Sequence, residues 1–321
     1  MDKKIQKILE DINSKSTDPI AFVGEKQRVV GQSTGIAMLD FDIGCEGYPR
    51  GRITEIYGQE GTAKTSLALW GVAQAQRDGL QCLYIDAEYA LDLGLAERLG
   101  VDLDKLIIIY PKTGEEAIGV VERMLKEQVV DFVVIDSVPS INPTPELEAE
   151  VGKPTMGGQA RLWASALRRL VPLVATQKAV LLLINQVRHN IMGGQYDPWV
   201  TPGGKALKFY SSVRIELKRK DKLIRGDEAI GQRVEYRMKK NKVNMNNDTG
   251  FFDYVYNEGF FSELDIVGMA IKKNILTREG NGYFFNGERI AIGREKTSEA
   301  IKANPELSSQ ILEAIQQSRT Q

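Results

Sequence analysis

Apolar positions along the chain fall into two rhythms. Short runs that are β-branched or apolar throughout occur at Arg52 to Tyr57, Cys82 to Ala87, Leu106 to Tyr110, Asp131 to Val138 and Ala179 to Asn185. Such runs predict strands buried on both faces. Between them, helical spacing predicts helices over Thr65 to Gln76, Leu93 to Leu99, Gly114 to Gln128 and Gln159 to Ala175. This alternation implies an α/β domain with a mainly parallel sheet and right-handed crossovers. After residue 211 the rhythm changes. Ser212 to Lys218, Val234 to Lys242 and Phe251 to Tyr256 alternate with period two and have no helices between them, which predicts antiparallel strands at one sheet edge. Lys3 to Ile12 reads as a helix followed by a polar linker, and the helical runs Glu263 to Lys273 and Ser298 to Ser318 belong to a small α+β appendage. The expected division is an arm over residues 1–27, a core over 28–261 and a small C-terminal domain over 262–321.

Composition narrows the function. The 321 residues are 42% hydrophobic and 26% charged, proportions of a folded globular protein rather than of a disordered, collagen-like or coiled-coil chain. No apolar run approaches the roughly 20 residues of a membrane span, and the charged N-terminus is unlike a secretory signal, so a cytosolic protein is expected. Two cysteines and one histidine leave little for a zinc site or a Ser/His/Asp triad. Catalysis falls to carboxylates, Lys, Arg, Gln and hydroxyls. The net charge of −1 hides a segregation: from Val151 to Ile215 nine basic residues face the single acid Asp197. A second basic stretch runs from Lys218 to Lys242. Either these are solvated faces of ordinary elements, or they form a face for a polyanion.

The chemistry centres on Gly58-Gln59-Glu60-Gly61-Thr62-Ala63-Lys64-Thr65-Ser66, between a predicted strand and a predicted helix. These are the parts of a P-loop: backbone N–H groups cradle phosphates, the lysine reaches the outer phosphates, and the Thr65 hydroxyl ligates magnesium. Ala63 stands where the pattern asks for glycine, so either its φ is negative or the loop carries slight strain, about 1–2 kcal/mol for a left-handed residue. The strand Phe132 to Ile135 ends in Asp136, a candidate for the magnesium shell. An apolar run ending in Asp is common and carries weight only in this combination. The strand Leu83 to Ala87 delivers Glu88 to the same carboxyl edge, where it is a candidate to deprotonate water or, alternatively, a helix-start acid.

From about Gly31 to Gly259 the chain resembles bacterial RecA-type recombinases. The resemblance is carried by Ser33-Thr34-Gly35, Gly51-Arg52-Ile53, Ile85-Asp86-Ala87-Glu88, Ala90-Leu91-Asp92, Met156-Gly157, Ile184-Asn185-Gln186-Val187-Arg188, Gly203-Gly204 with Ala206-Leu207-Lys208-Phe209-Tyr210, and Lys240-Asn241-Lys242. The Asn-Gln pair after an apolar strand and the Gly-Gly-x-Ala-Leu-Lys-Phe-Tyr string are more discriminating than any P-loop. The resemblance implies a RecA-like P-loop NTPase core with antiparallel edge strands, an N-terminal helical arm and a small α+β C-terminal domain.

It also implies roles for individual residues. Glu88 matches the glutamate that activates water, Gln186 the residue that senses the γ-phosphate, and Asp92 an adenine contact, with Tyr256 also assigned to the nucleotide. The aromatic that often stacks on the base falls at Leu95. Lys240 and Lys242 match the pair that reaches into a neighbouring subunit's ATP. Met156, Arg161 and Arg168 fall in or beside the first DNA-binding segment, and Arg188, Ile191, Gly203 and Gly204 in the second. Ala164 and Pro202 replace polar residues usual there. Lys218, Arg219 and Arg237 resemble a secondary DNA site, although Glu235 stands where a basic residue is usual. Phe209 and Phe22 match residues of the subunit interface. The implied cofactors are ATP and Mg2+. The implied partners are single-stranded DNA, homologous duplex DNA and further copies of the chain in a helical filament, with no membrane. The chain ends at Gln321 without the acidic tail of many bacterial members, from which duplex binding less restrained at low magnesium than in tailed relatives is expected. The expected function is DNA-stimulated ATP hydrolysis coupled to homologous pairing and strand exchange in recombination and repair. The alternatives are an ATP-binding DNA-coating regulator with little turnover, or a ring-forming repair ATPase of the same fold.

Overall fold

The computed structural model describes residues 2–15, 29–150, 157–189, 199–244, 249–260 and 262–317. Among the described residues, nine strands form one sheet, in the order Gly259–Phe260, Thr249–Val255, Glu228–Asn241, Val213–Arg225, Arg52–Gly58, Val180–Gln186, Phe132–Asp136, Cys82–Asp86 and Leu106–Ile109. From Val213–Arg225 to Leu106–Ile109 every pairing is parallel. The pairings on the other side of Val213–Arg225 are antiparallel, which gives the expected antiparallel edge.

Period-two alternation explains why the parallel strands read as unbroken apolar runs. Ile53, Leu83, Ile85, Val133, Ile135, Leu181 and Leu183 belong to a core shared with the helices Gly114–Lys126 and Gly158–Gln177. Ile56, Tyr84, Phe132, Val134, Leu182 and Ile184 belong to a core on the other face, shared with the helix Lys64–Arg77. A strand covered on both faces needs apolar residues at both parities. The parallel strands therefore bring Gly58, Asp86, Asp136 and Gln186 to one carboxyl edge.

Two features depart from the sequence expectation. Val213–Arg225 and Glu228–Asn241 form a hairpin much longer than its predicted strands, with register shifts between Arg219 and Lys222. Its outer half is mostly exposed on both faces, so it carries no apolar alternation to detect. The predicted helix Ser298 to Ser318 is two helices, Arg294–Ala303 and Pro305–Gln317. Asn304 ends the first, and its side chain accepts the Leu307 N–H at 3.1 Å, an N-cap for the second, with Pro305 at the favoured first position. The expected small α+β C-terminal region is present, with its strands in a three-stranded sheet, Leu276–Glu279, Gly282–Phe285 and Glu288–Ile292. Its second turn is Asn286-Gly287, both with positive φ, as a two-residue hairpin turn requires.

The N-terminal helix Lys3–Ser14 is capped by Asp2, which accepts the Lys4 N–H at 2.9 Å, and it buries none of its residues. Phe22 lies outside the described residues.

Candidate functional site

The loop after the strand Arg52–Gly58 turns sharply into the helix Lys64–Arg77. Ala63 sits at φ 60 and ψ 28, so of the two possibilities left open by the sequence the loop takes the strained one. Gly58 needs its missing side chain for another reason: a Cβ there would lie 2.4 Å from the Leu217 carbonyl oxygen of the adjacent strand. Thr62 Oγ1 donates to the Gln59 carbonyl at 2.8 Å, and Gln232 of the long hairpin donates to the Gly61 carbonyl at 2.9 Å. Lys64 Nζ donates to the carbonyls of Gly58 at 3.2 Å and Gln59 at 2.7 Å. Burial lowers its ammonium pKa, against the pull of Asp136, Glu88 and Glu60.

A cleft of about 250 Å³ opens over this loop, lined by Glu60 through Ser66 together with Glu88, Asp136, Ser137, Ile184 and Gln186. Gly58 and Gln59 instead border a second cleft, formed with Val187 and residues Glu216 to Arg219. In the first cleft, Asp136 Oδ2 accepts hydrogen bonds from Thr65 Oγ1 at 2.8 Å and from the Tyr84 hydroxyl at 2.7 Å. Burial pushes the Asp136 carboxyl up to about 6; the donated hydrogen bonds oppose this, and Glu88 and Asp86 add to it. A hydroxyl beside a buried carboxylate is the hard-oxygen donor set that magnesium takes, and a cation there would offset the burial that disfavours the ionised acid.

Glu88 and Gln186 meet as well. Glu88 Oε1 accepts from Gln186 Nε2 at 3.1 Å and from the Ser137 hydroxyl. The bend that presents Glu88 is built by Asp86, whose carboxylate accepts the N–H groups of Glu88 at 3.1 Å and Leu91 at 2.9 Å, and Tyr89 follows with φ 55. Sequence reasoning missed Ser137, Asp86 and Tyr84. Asp86 was the most accessible of the three, since an aspartate two residues before a bend is a common turn former.

Asp92 and Tyr256 are not brought to the cleft. Asp92 caps the helix Leu93–Arg98, accepting the Leu95 N–H at 2.9 Å, and pairs with Arg98 at 3.7 Å. Tyr256, 41% exposed, packs edge-on against Tyr254, whose hydroxyl accepts from Ser66 at 3.0 Å. Through that neighbour it is linked to the helix that follows the phosphate loop.

Lys240 and Lys242 also lie away from the cleft of their own chain. Lys240 Nζ donates to the carbonyls of Lys208 at 2.6 Å and Phe209 at 2.9 Å, at the C-terminal end of the helix Gly204–Tyr210. Burial lowers its pKa, and Lys242 and Arg214 act in the same direction. Phe209 beside it is 70% exposed, a large apolar side chain standing in solvent next to two lysines. Gly203 and Gly204 open the same helix with φ of 86 and 74. A buried network ties this region to the sheet: Asn185 Nδ2 donates to Glu55 at 2.9 Å and to the Pro202 carbonyl at 3.1 Å, and Arg214 pairs with Glu55.

Of the expected DNA contacts, Arg161 and Arg168 are exposed on the helix Gly158–Gln177, and Arg188 is exposed where Arg188–His189 pairs with Trp199–Val200. Met156 and Ile191 lie outside the described residues. On the long hairpin Arg219 is exposed, Lys218 pairs with Glu216 at 3.4 Å, and Arg237 pairs with Glu235 at 2.8 Å. Burial alone would raise the Glu235 carboxyl, but Arg237 and Lys220 together hold it below its ordinary value.

A glycine-containing loop between a strand and a helix, a lysine and threonine at the helix start, and an acid ending a neighbouring parallel strand define a P-loop nucleotide-binding protein. Comparison with known families goes further. Residues 3–261 match the RecA N-terminal domain and residues 264–320 the RecA C-terminal domain. The chain is 40% identical to the protein RecA of Halalkalibacterium halodurans over 91% of its own length and 84% of that relative. It is 40% identical to that of Clostridium tetani over 89% and 81%, and 41% identical to that of Heliobacterium modesticaldum over 90% and 83%. The chain belongs to the RecA family. That membership supports the recombinase reading over the ring-forming ATPase and the DNA-coating regulator.

Proposed function

We propose that this protein is a DNA-dependent ATPase that assembles into helical filaments on single-stranded DNA and promotes pairing and strand exchange with homologous duplex DNA. The observation that carries the reading is the convergence of Lys64, Thr65, Asp136, Glu88 and Gln186 on one cleft. Backbone N–H groups of the loop and Lys64 bind the phosphates of ATP. Thr65 and Asp136 would hold magnesium, whose charge would neutralise phosphate oxygens. Glu88 takes a proton from water as the water oxygen bonds to the γ-phosphorus and the bridging P–O bond to ADP breaks. Gln186, bonded to Glu88, stands where it can register the γ-phosphate.

Lys240 and Lys242 complete the site of an adjacent subunit in this reading, because added positive charge stabilises the transition state, and Phe209 packs against that subunit. Hydrolysis then depends on assembly. Arg161, Arg168 and Arg188, with the Gly203-Gly204 amides, contact DNA phosphates without reading sequence. We assign residues 1–27 to an assembly arm, 28–261 to the ATPase core and 262–321 to a small C-terminal α+β domain. The described residues include no helix long and apolar enough to cross a membrane, and on family membership we assign the protein to the cytoplasm.

The test is steady-state ATP hydrolysis with and without single-stranded DNA, across protein concentration, alongside electron microscopy. A DNA-stimulated rate that rises cooperatively with protein, extended filaments, and loss of both in Lys64→Ala are expected. Nucleotide binding with hydrolysis indifferent to DNA would overturn the reading.

A further inference from the structure

Tyr84 stands in the middle of the strand Cys82–Asp86, fully buried, in the core shared with the helix Lys64–Arg77. No step of the proposed chemistry uses it. Its hydroxyl donates to Oδ2 of Asp136 at 2.7 Å, and the same oxygen accepts the Thr65 hydroxyl at 2.8 Å. The terminal torsion of an aspartate has a broad minimum, so an untethered carboxylate rotates easily. Two donors reaching one oxygen, one from a neighbouring strand and one from the helix start, remove that freedom and leave Oδ1 without either tether.

We propose that Tyr84 is a positioning residue for magnesium: by tethering Oδ2 of Asp136 together with Thr65, it sets the orientation in which the carboxylate and the threonine hydroxyl meet the cation. The inference rests on the nucleotide and magnesium reading above. A buried tyrosine hydroxyl generally finds some acceptor. Here the acceptor is the one carboxylate that the proposed metal site requires, so the contact has a consequence beyond satisfying a polar atom. Partners that orient a metal ligand typically change metal affinity by about 10- to 100-fold when removed.

Tyr84→Phe deletes one oxygen and keeps the ring. Binding of a fluorescent ADP analogue to the full chain is followed as magnesium is titrated, and again in EDTA. The magnesium concentration for half-maximal effect should rise about tenfold in the variant, while affinity in EDTA stays at the wild-type value. In an Asp136→Asn background, Tyr84→Phe should add nothing, because its effect passes through that carboxylate. An unchanged or lower magnesium requirement overturns the inference. So does an additive double variant, or loss of folding or of EDTA-state binding in Tyr84→Phe, each of which marks a packing role. A wild-type protein whose nucleotide binding ignores magnesium would instead overturn the magnesium reading on which the inference stands.

Discussion

Gln186 Nε2 donates to Glu88 Oε1 at 3.1 Å although the strand that ends at Gln186, Val180–Gln186, and the strand that ends two residues before Glu88, Cys82–Asp86, are separated in the sheet by Phe132–Asp136. Ser137, the residue that follows the intervening strand, donates its hydroxyl to the same carboxylate oxygen. Glu88 is thus held by neutral donors from two elements, oriented but with no ion pair among the described residues to occupy it. Glu88→Gln should keep nucleotide and DNA binding and lose DNA-stimulated hydrolysis by about 10²- to 10⁴-fold, the range of a general base. Phosphate release measured beside nucleotide binding checks this, and retained turnover would remove Glu88 from the role.

Ala63 holds a left-handed conformation inside the phosphate loop. Glycine adopts that conformation without the Cβ penalty, but its unfolded chain is more flexible and returns part of the gain. Ala63→Gly should therefore stabilise the protein by about 0.5–1 kcal/mol. Urea unfolding is the measurement. A destabilised variant would mean that the loop is not strained at this residue.

What the sequence revealed and what it hid follow from the same physics. The parallel strands and the acids at their carboxyl ends were legible because burial on both faces leaves an uninterrupted apolar run, and a polar residue ending such a run stands out. Asp136 and Glu88 were found that way, whereas Gln186 came from the family resemblance. Tyr84 and Ser137 were not, because their contacts join strands that only the fold makes neighbours. The outer half of the long hairpin was hidden since solvent on both sides imposes no pattern. Asp92, which the resemblance assigns to adenine, caps the helix Leu93–Arg98 through the Leu95 N–H, a contact not read from the sequence.

The Asp136 carboxyl, pushed up to about 6 by burial, compares with about 3.9 in an unfolded chain. The folded state holds this proton more tightly, so the contribution to stability is fully present below about pH 4 and is lost as pH rises through about 6. The shift corresponds to on the order of 3 kcal/mol. In magnesium-free buffer Asp136→Asn should accordingly be more stable than wild type at neutral pH, and the difference should shrink as pH falls toward 4. Urea melts of both proteins across this range decide it. A wild type that is the more stable at neutral pH would show that the hydrogen bonds from Thr65 and Tyr84 outweigh the burial.

Glu235 sits on the long hairpin, nearly buried, and accepts from Arg237 at 2.8 Å and Lys220 at 3.4 Å. Arg237 is one of the residues that resemble a secondary DNA site, Lys220 lies in the same basic stretch, and each is partly neutralised by this one acid. Glu235→Gln keeps the shape and a hydrogen-bond acceptor for Arg237 while removing the charge. Duplex DNA affinity should then rise, and because each additional phosphate neutralised steepens the salt dependence by about 0.9 in log–log slope, the slope should steepen by up to about one or two such steps. Affinity for a duplex measured across salt concentrations, with the single-strand affinity as control, reads this out. An unchanged slope would mean that Arg237 and Lys220 do not face the duplex.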